Sequence, residues 1–355
     1  MERRSPSRIR LAGLGAAAAL ALTAGTGTAQ AADGDWYHVG DGMTSGISGI
    51  ATDGTHHGRD GTLHGVVVRD NKKPGENRIA RITAHPGEKP RLTPLSWKGP
   101  LPTDLEAIDR VPGAPGQYVA LASAGTGYRI QVAHRSARVL DTFELPGKAG
   151  GDGNPDIPDN ADKPNKPDNY ESFALARPAA SSPAGEDGAL IAVWADRGDD
   201  GRPSTLRAAS FSLPDDETPA RTGGSRTVRA HPAGEGVTFG EVHTARVRAP
   251  YPAGDPRSAS DLKITGSGEL LVGSATDPGD DGPFDSGVYS AGHVALDGAH
   301  TGRIEAAEHP EVLERFPGHK VEALTCLPGS DKAVVGTDDE NAGSSVKTVT
   351  GLCAR

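Results

Sequence analysis

The chain has 355 residues, of which 37 are Lys or Arg and 47 are Asp or Glu, for a formal net charge of −10. That acidic balance argues against a nucleic-acid partner, which requires clustered basic residues, and 48 Gly with 28 Pro leave little room for long helices. No strict Gly period and no apolar heptads occur, so collagen and coiled coil are excluded and short strands joined by many turns are expected.

In chain order, residues 1–31 read as a secretory signal peptide. Arg3, Arg4, Arg8 and Arg10 precede a small apolar run from Leu11 to Ala24, and Ala29-Gln30-Ala31 supplies the small-residue cleavage site. A membrane anchor would need about 20 strongly apolar residues, and this run is too rich in Ala and Gly. Residues 32–355 are therefore expected to form one secreted, extracellular domain that is free of the membrane and monomeric.

Within that domain a short apolar strand opening on a polar or acidic residue recurs five times. The openings are Ile47-Ser48-Gly49-Ile50, Leu105-Glu106-Ala107-Ile108, Tyr170-Glu171-Ser172-Phe173, Ser260-Asp261-Leu262-Lys263-Ile264 and Val321-Glu322-Ala323-Leu324. Their spacing is roughly 60 residues, with one longer step of about 90. Each opening is followed, after a turn, by a second apolar strand that ends in polar residues, such as Gly65 to Asp70, Leu190 to Arg197 or Ala333 to Asp338.

A repeated four-stranded antiparallel unit with a small, apolar inner pair reads as a β-propeller blade. The fold class is all-β, a propeller of five blades, or of six if Val237 to Val247 hides another; an open β-sandwich is the alternative. The last unit lacks an outer strand, which Asp35 to Val39 could supply by pairing the two ends of the chain. Residues 147–169, rich in Pro, Asp, Asn and Gly, read as a mobile insertion without a core of their own. Cys326 and Cys353 are expected to form a disulfide that ties down the chain end and stabilises by about 3–4 kcal/mol.

Propeller geometry brings the start of each inner strand and the end of each second strand to one face, around the central channel. Ser48, Glu106, Glu171, Asp261 and Glu322 should line that mouth, with Arg69, Asp70, Ser123, Asp196, Arg197, Ser274, Thr276, Asp277, Asp338 and Asp339 around it. Converging carboxylates repel one another and raise their own pKa values. A bound cation, Arg69 and Arg197, or hydrogen bonds could offset this repulsion, and hard oxygen ligands without His or Cys suit Ca²⁺. The metal set would be Glu106, Glu171, Asp261, Glu322, Asp277, Asp338 and Asp339. His56-His57 falls between the first two strands, toward the opposite face. No G-x-S-x-G, H-E-x-x-H or P-loop motif occurs.

The run Asp104-Leu-Glu-Ala-Ile followed by Tyr118-Val-Ala-Leu-Ala-Ser-Ala-Gly resembles the inner-blade signature of the β-propeller phytases and of the secreted "esterase-like activity of phytase" proteins. His319-Lys-Val-Glu-Ala-Leu followed by Val334-Val-Gly-Thr-Asp-Asp-Glu is similar. The resemblance implies that Glu106, Glu171 and Glu322 act catalytically by holding calcium, which binds substrate phosphate and activates water, with Asp261 a looser match. The family's D-D-P-A-[ILV]-W and N-N-[VI]-D-[ILV]-R segments are absent. Two functions are thus expected to compete. One is a calcium-dependent hydrolase of a small phosphoester or ester, with Arg69 and Arg197 binding the substrate. The other is a non-catalytic binding propeller whose acidic face takes an ionic ligand or a partner.

Overall fold

The computed structural model describes residues 36–54, 62–147, 169–179, 189–198, 201–214, 236–254, 256–298 and 301–353. The expected leader at 1–31, His56-His57 and nearly all of the expected 147–169 insertion lie outside these residues.

Among the described residues, alternating apolar and polar residues punctuated by Gly and Pro turns build 22 strands in five sheets, antiparallel apart from one edge. Strand β1 (Tyr37–Gly40) is set aside from the first sheet, which comprises β2 (Gly49–Thr52), β3 (Leu63–Val68), β4 (Ile79–Ala84) and β5 (Arg91–Pro94). The short β6 (Ser96–Lys98) leads into the second, made of β7 (Leu105–Arg110), β8 (Gln117–Ala122), β9 (Thr126–Val132) and β10 (Ser136–Glu144). There β6 adds a parallel edge to β10. The third sheet holds β11 (Tyr170–Ala176), β12 (Leu190–Asp196), β13 (Ser204–Ser212), β14 (Thr238–Phe239) and β15 (His243–Val247). The fourth holds β16 (Arg257–Ile264), β17 (Glu269–Ala275), β18 (Asp285–Val294) and β19 (Ile304–Pro317). The fifth is β20 (Val321–Cys326), β21 (Ala333–Thr337), β22 (Ser344–Val349) and, on its outer side, β1.

The innermost strands touch in a closed cycle, β2 to β7, β7 to β11, β11 to β16, β16 to β20 and β20 back to β2. Five apolar clusters match this cycle, one at each junction between neighbouring sheets. Ile108 with Val66 joins the first and second, for instance, and Leu324 with Leu271 the fourth and fifth. The architecture is a five-bladed β-propeller. Second strands such as β8, β12 and β17 are buried along their whole length because blades pack on both of their faces. The outer strand β10, by contrast, alternates buried and exposed.

Two expectations are settled here. Residues 237–247 do not form a sixth blade, since β14 and β15 both pair with β13 and complete the third. The ring is closed by the N-terminal strand, with Tyr37 opposite Val346 and His38 opposite Ser345. Gly343 sits at this closure with φ 87°, where a Cβ would lie 2.0 Å from the Gly40 carbonyl, so only glycine fits. Cys326 and Cys353 are disulfide-bonded across a separation of 27 residues, tying the end of β20 to the segment after β22. No helix among the described residues is long and apolar enough to cross a membrane.

Candidate functional site

Three inner strands share a local irregularity that places the site. In β7, β11 and β20 the pairing register slips by one residue, between Leu105 and Ala107, Tyr170 and Ser172, and Val321 and Ala323. The residue skipped each time is a glutamate: Glu106, Glu171 or Glu322. A one-residue bulge leaves its residue out of the ladder and re-aims its side chain. All three glutamates are buried and close enough to act on one another's charge.

In β16 the slip runs from Arg257 to Asp261 and is longer. Arg257 faces Ala275 as Leu105 faces Ala122 and Val321 faces Thr337. The fourth blade therefore brings a cation to the mouth where the sequence pattern led to Asp261. Asp261 lies further along the strand, fully buried. It accepts hydrogen bonds from the Leu262 amide at 2.7 Å and from the Leu324 amide of the next blade at 2.6 Å. Burial pushes its carboxyl up to about 7, against the opposing pull of Lys263 and these amides. Lys263 Nζ, 3.4 Å from Asp261 Oδ1, also donates to the Ile108 carbonyl at 3.3 Å. Because the second and fourth blades are not neighbours, this ammonium bridges the channel below the mouth.

Arg257 is the hub of the charge network. Its Nη1 donates to Glu322 Oε1 at 3.0 Å and lies 3.7 Å from Glu171 Oε2, while Nη2 pairs with Asp277. Lys320 Nζ lies 3.2 Å from Glu322 Oε1 and also pairs with Glu340. Burial alone would lower both cations, but the surrounding carboxylates outweigh it and hold both above their ordinary values. Asp277 is held below its ordinary value because Arg257 and Lys320 overcome its burial. Arg197 Nη1 stands 3.6 Å from Glu171 Oε1, which also accepts from Asn169 at 2.9 Å. Burial, reinforced by Glu322 and opposed by Arg257, still pushes Glu171 up to about 7.

The other side of the mouth is less compensated. Burial first, then Glu171 and Glu322, raise Glu106 well above the usual carboxylate range. Burial and Glu322 raise Asp338 likewise and bring Asp70 to about 6. Lys72 pairs with Asp104 at 2.9 Å. Arg69 donates to the Thr44 carbonyl at 2.8 Å and faces Asp338 rather than a glutamate. Asp339 is engaged by the Lys320 amide at 2.7 Å, Thr337 at 2.9 Å and His319 Nδ1 at 2.8 Å. Asp196, placed at this face by the strand pattern, is bound by Arg202 and Arg207 within its own blade.

Sequence reasoning did not single out Arg257, Lys320, Lys72 or Asp104, while Glu340 lies in the Asp338 to Asn341 connection expected over this face. Asp104 and Lys320 were within reach, being close before Glu106 and Glu322; Arg257 was hidden by the longer slip in β16. Asp104 and Glu340 carry a further mark. With φ of 64° and 50°, they are the two non-glycine residues in the left-handed region among those described. Such strain concentrates at functional sites.

Arg257 and Lys320 stand among the carboxylates, and among the described residues no group of three or more His, Cys, Asp or Glu side chains is arranged to hold a metal ion.

No protein-family model matches the chain, and no curated protein matches it. Among solved structures it is similar to the β-propeller domain of Cps50 (Swd1) from Myceliophteria thermophila, at 11% identity and a TM-score of 0.35, covering 86% of this chain and 83% of that one.

Proposed function

We propose that this chain is an exported, non-catalytic propeller that binds a small charged ligand at the channel mouth. The observation that carries the reading is the pairing of Glu171 and Glu322 with Arg257 and Lys320. With those counter-ions built in, Glu171 and Glu322 are already engaged and their mutual repulsion is offset within the protein. The left-handed Asp104 and Glu340 add support, since both place a charged side chain in this mouth at a conformational cost of about 1–3 kcal/mol each. The leader sequence supports export.

Hydrolysis of a phosphoester or ester through carboxylate-held calcium is the competing reading. It is tested by assaying a chromogenic phosphomonoester and a carboxylic ester with calcium and with a chelator. The expected result is no turnover in any condition and an unchanged thermal midpoint on chelation. Turnover that the chelator abolishes, and that Glu322→Gln removes, would replace the binding reading with the hydrolase.

A further inference from the structure

Glu106 is the one glutamate of the three left without a direct partner. Its side chain belongs to a residue only 9% exposed, projects from the bulge of β7, and has no hydrogen bond or salt bridge among the described residues. Charged groups from every blade nonetheless act on it or feel it. They are Asp70 and Lys72 from the first, Asp104 from the second, Glu171 from the third, Arg257 from the fourth and Glu322 from the fifth. A carboxylate so placed lies toward the axis and is available to whatever enters the mouth. Asp338, on the fifth blade, which does not adjoin the second, is buried, and its Oδ1 accepts only a long bond of 3.3 Å from the Glu340 amide.

Most of the nearby cations are already committed. Arg257 serves Glu171, Glu322 and Asp277; Lys320 serves Glu322 and Glu340; Lys72 serves Asp104. An incoming anion would meet several carboxylates, with Arg69 Nε the buried guanidinium N–H left without a partner. An ammonium group suits an unpartnered carboxylate, because its N–H donors can meet Glu106 without a fixed coordination shell. Lys263 spans from the fourth blade to the second below the mouth.

We infer that the ligand of this mouth is an organic ammonium, a primary amine whose charged nitrogen is held by Glu106 with Asp70 nearby. This inference rests on the binding reading above and names the ligand class for it. Ammonium binding replaces the missing counter-ion of Glu106 and drives proton release from the carboxylate cluster.

The test is isothermal titration calorimetry of the full chain at pH 7.5 with 1,4-diaminobutane, calcium chloride and sodium phosphate as separate probes. One diamine is expected to bind per chain, with heats that depend on the ionisation enthalpy of the buffer, and Glu106→Gln should weaken binding by at least about tenfold. Asp70→Asn serves as a second variant should Glu106→Gln not fold. Diamine binding unchanged by either substitution overturns the inference. Binding of calcium or phosphate but not diamine, lost in Glu106→Gln, overturns the ammonium class and leaves the mouth a ligand site. Silence from all three probes overturns the binding reading as well.

Discussion

At the scale of single residues, the mouth contains groups whose removal should act in opposite directions. Arg257→Met leaves Glu171 and Glu322 buried without their guanidinium, and breaking a buried ion pair from one side costs about 3–5 kcal/mol. Urea denaturation at pH 7.5 should show that loss, and it should shrink at pH 5, where Glu171, with its carboxyl near 7, is protonated and no longer needs the cation. Glu106→Gln should instead raise the urea midpoint, because it deletes a repelled, unpartnered charge while keeping the shape of the side chain. A fall in stability for both variants would contradict the electrostatic account. The glutamates were legible because each opens a recognisable apolar strand. Arg257 was not, since a register slip leaves no mark on a pattern read residue by residue.

At the scale of elements, the fifth blade is assembled from both ends of the chain and carries two fastenings. The disulfide between Cys326 and Cys353 closes a loop set by a 27-residue separation. Replacing both cysteines by serine should cost about 3–4 kcal/mol by the loop-entropy account, read as a lower thermal midpoint that reductant reproduces in the native chain. The second fastening is β1. Gly343→Val should weaken it, because the added side chain would collide with the Gly40 carbonyl, and limited proteolysis should then cut near residue 40 sooner. Equal resistance in the variant would show that the closure does not depend on this contact. The pairing of β1 with the last blade was readable from sequence because the final repeat is one strand short. The role of β14 and β15 was not, since alternation marks a strand without saying which sheet it joins.

At the scale of the whole molecule, the buried carboxylates set the pH profile. Asp70, Glu171 and Asp261 have folded-state values of about 6, 7 and 7, and Glu106 and Asp338 are also raised. Across the window from about pH 4 to pH 7 the folded protein holds protons that the unfolded chain has released. Stability contributed by these groups is therefore present on the acid side and lost as pH rises toward 7. The urea midpoint should be higher at pH 5 than at pH 7.5, and the reverse order would show that these groups ionise freely in the native state. The sequence by itself determined the strand-rich class, the repeat, the chain-end closure and the disulfide, because hydrophobic alternation, turn residues and cysteine count are local properties. Only the tertiary structure decided the count of blades and which charges meet. Ring closure and bulges bring together side chains from five separate repeats, and the burial that follows selects Arg257 and Lys320 as counter-ions and leaves Glu106 without one.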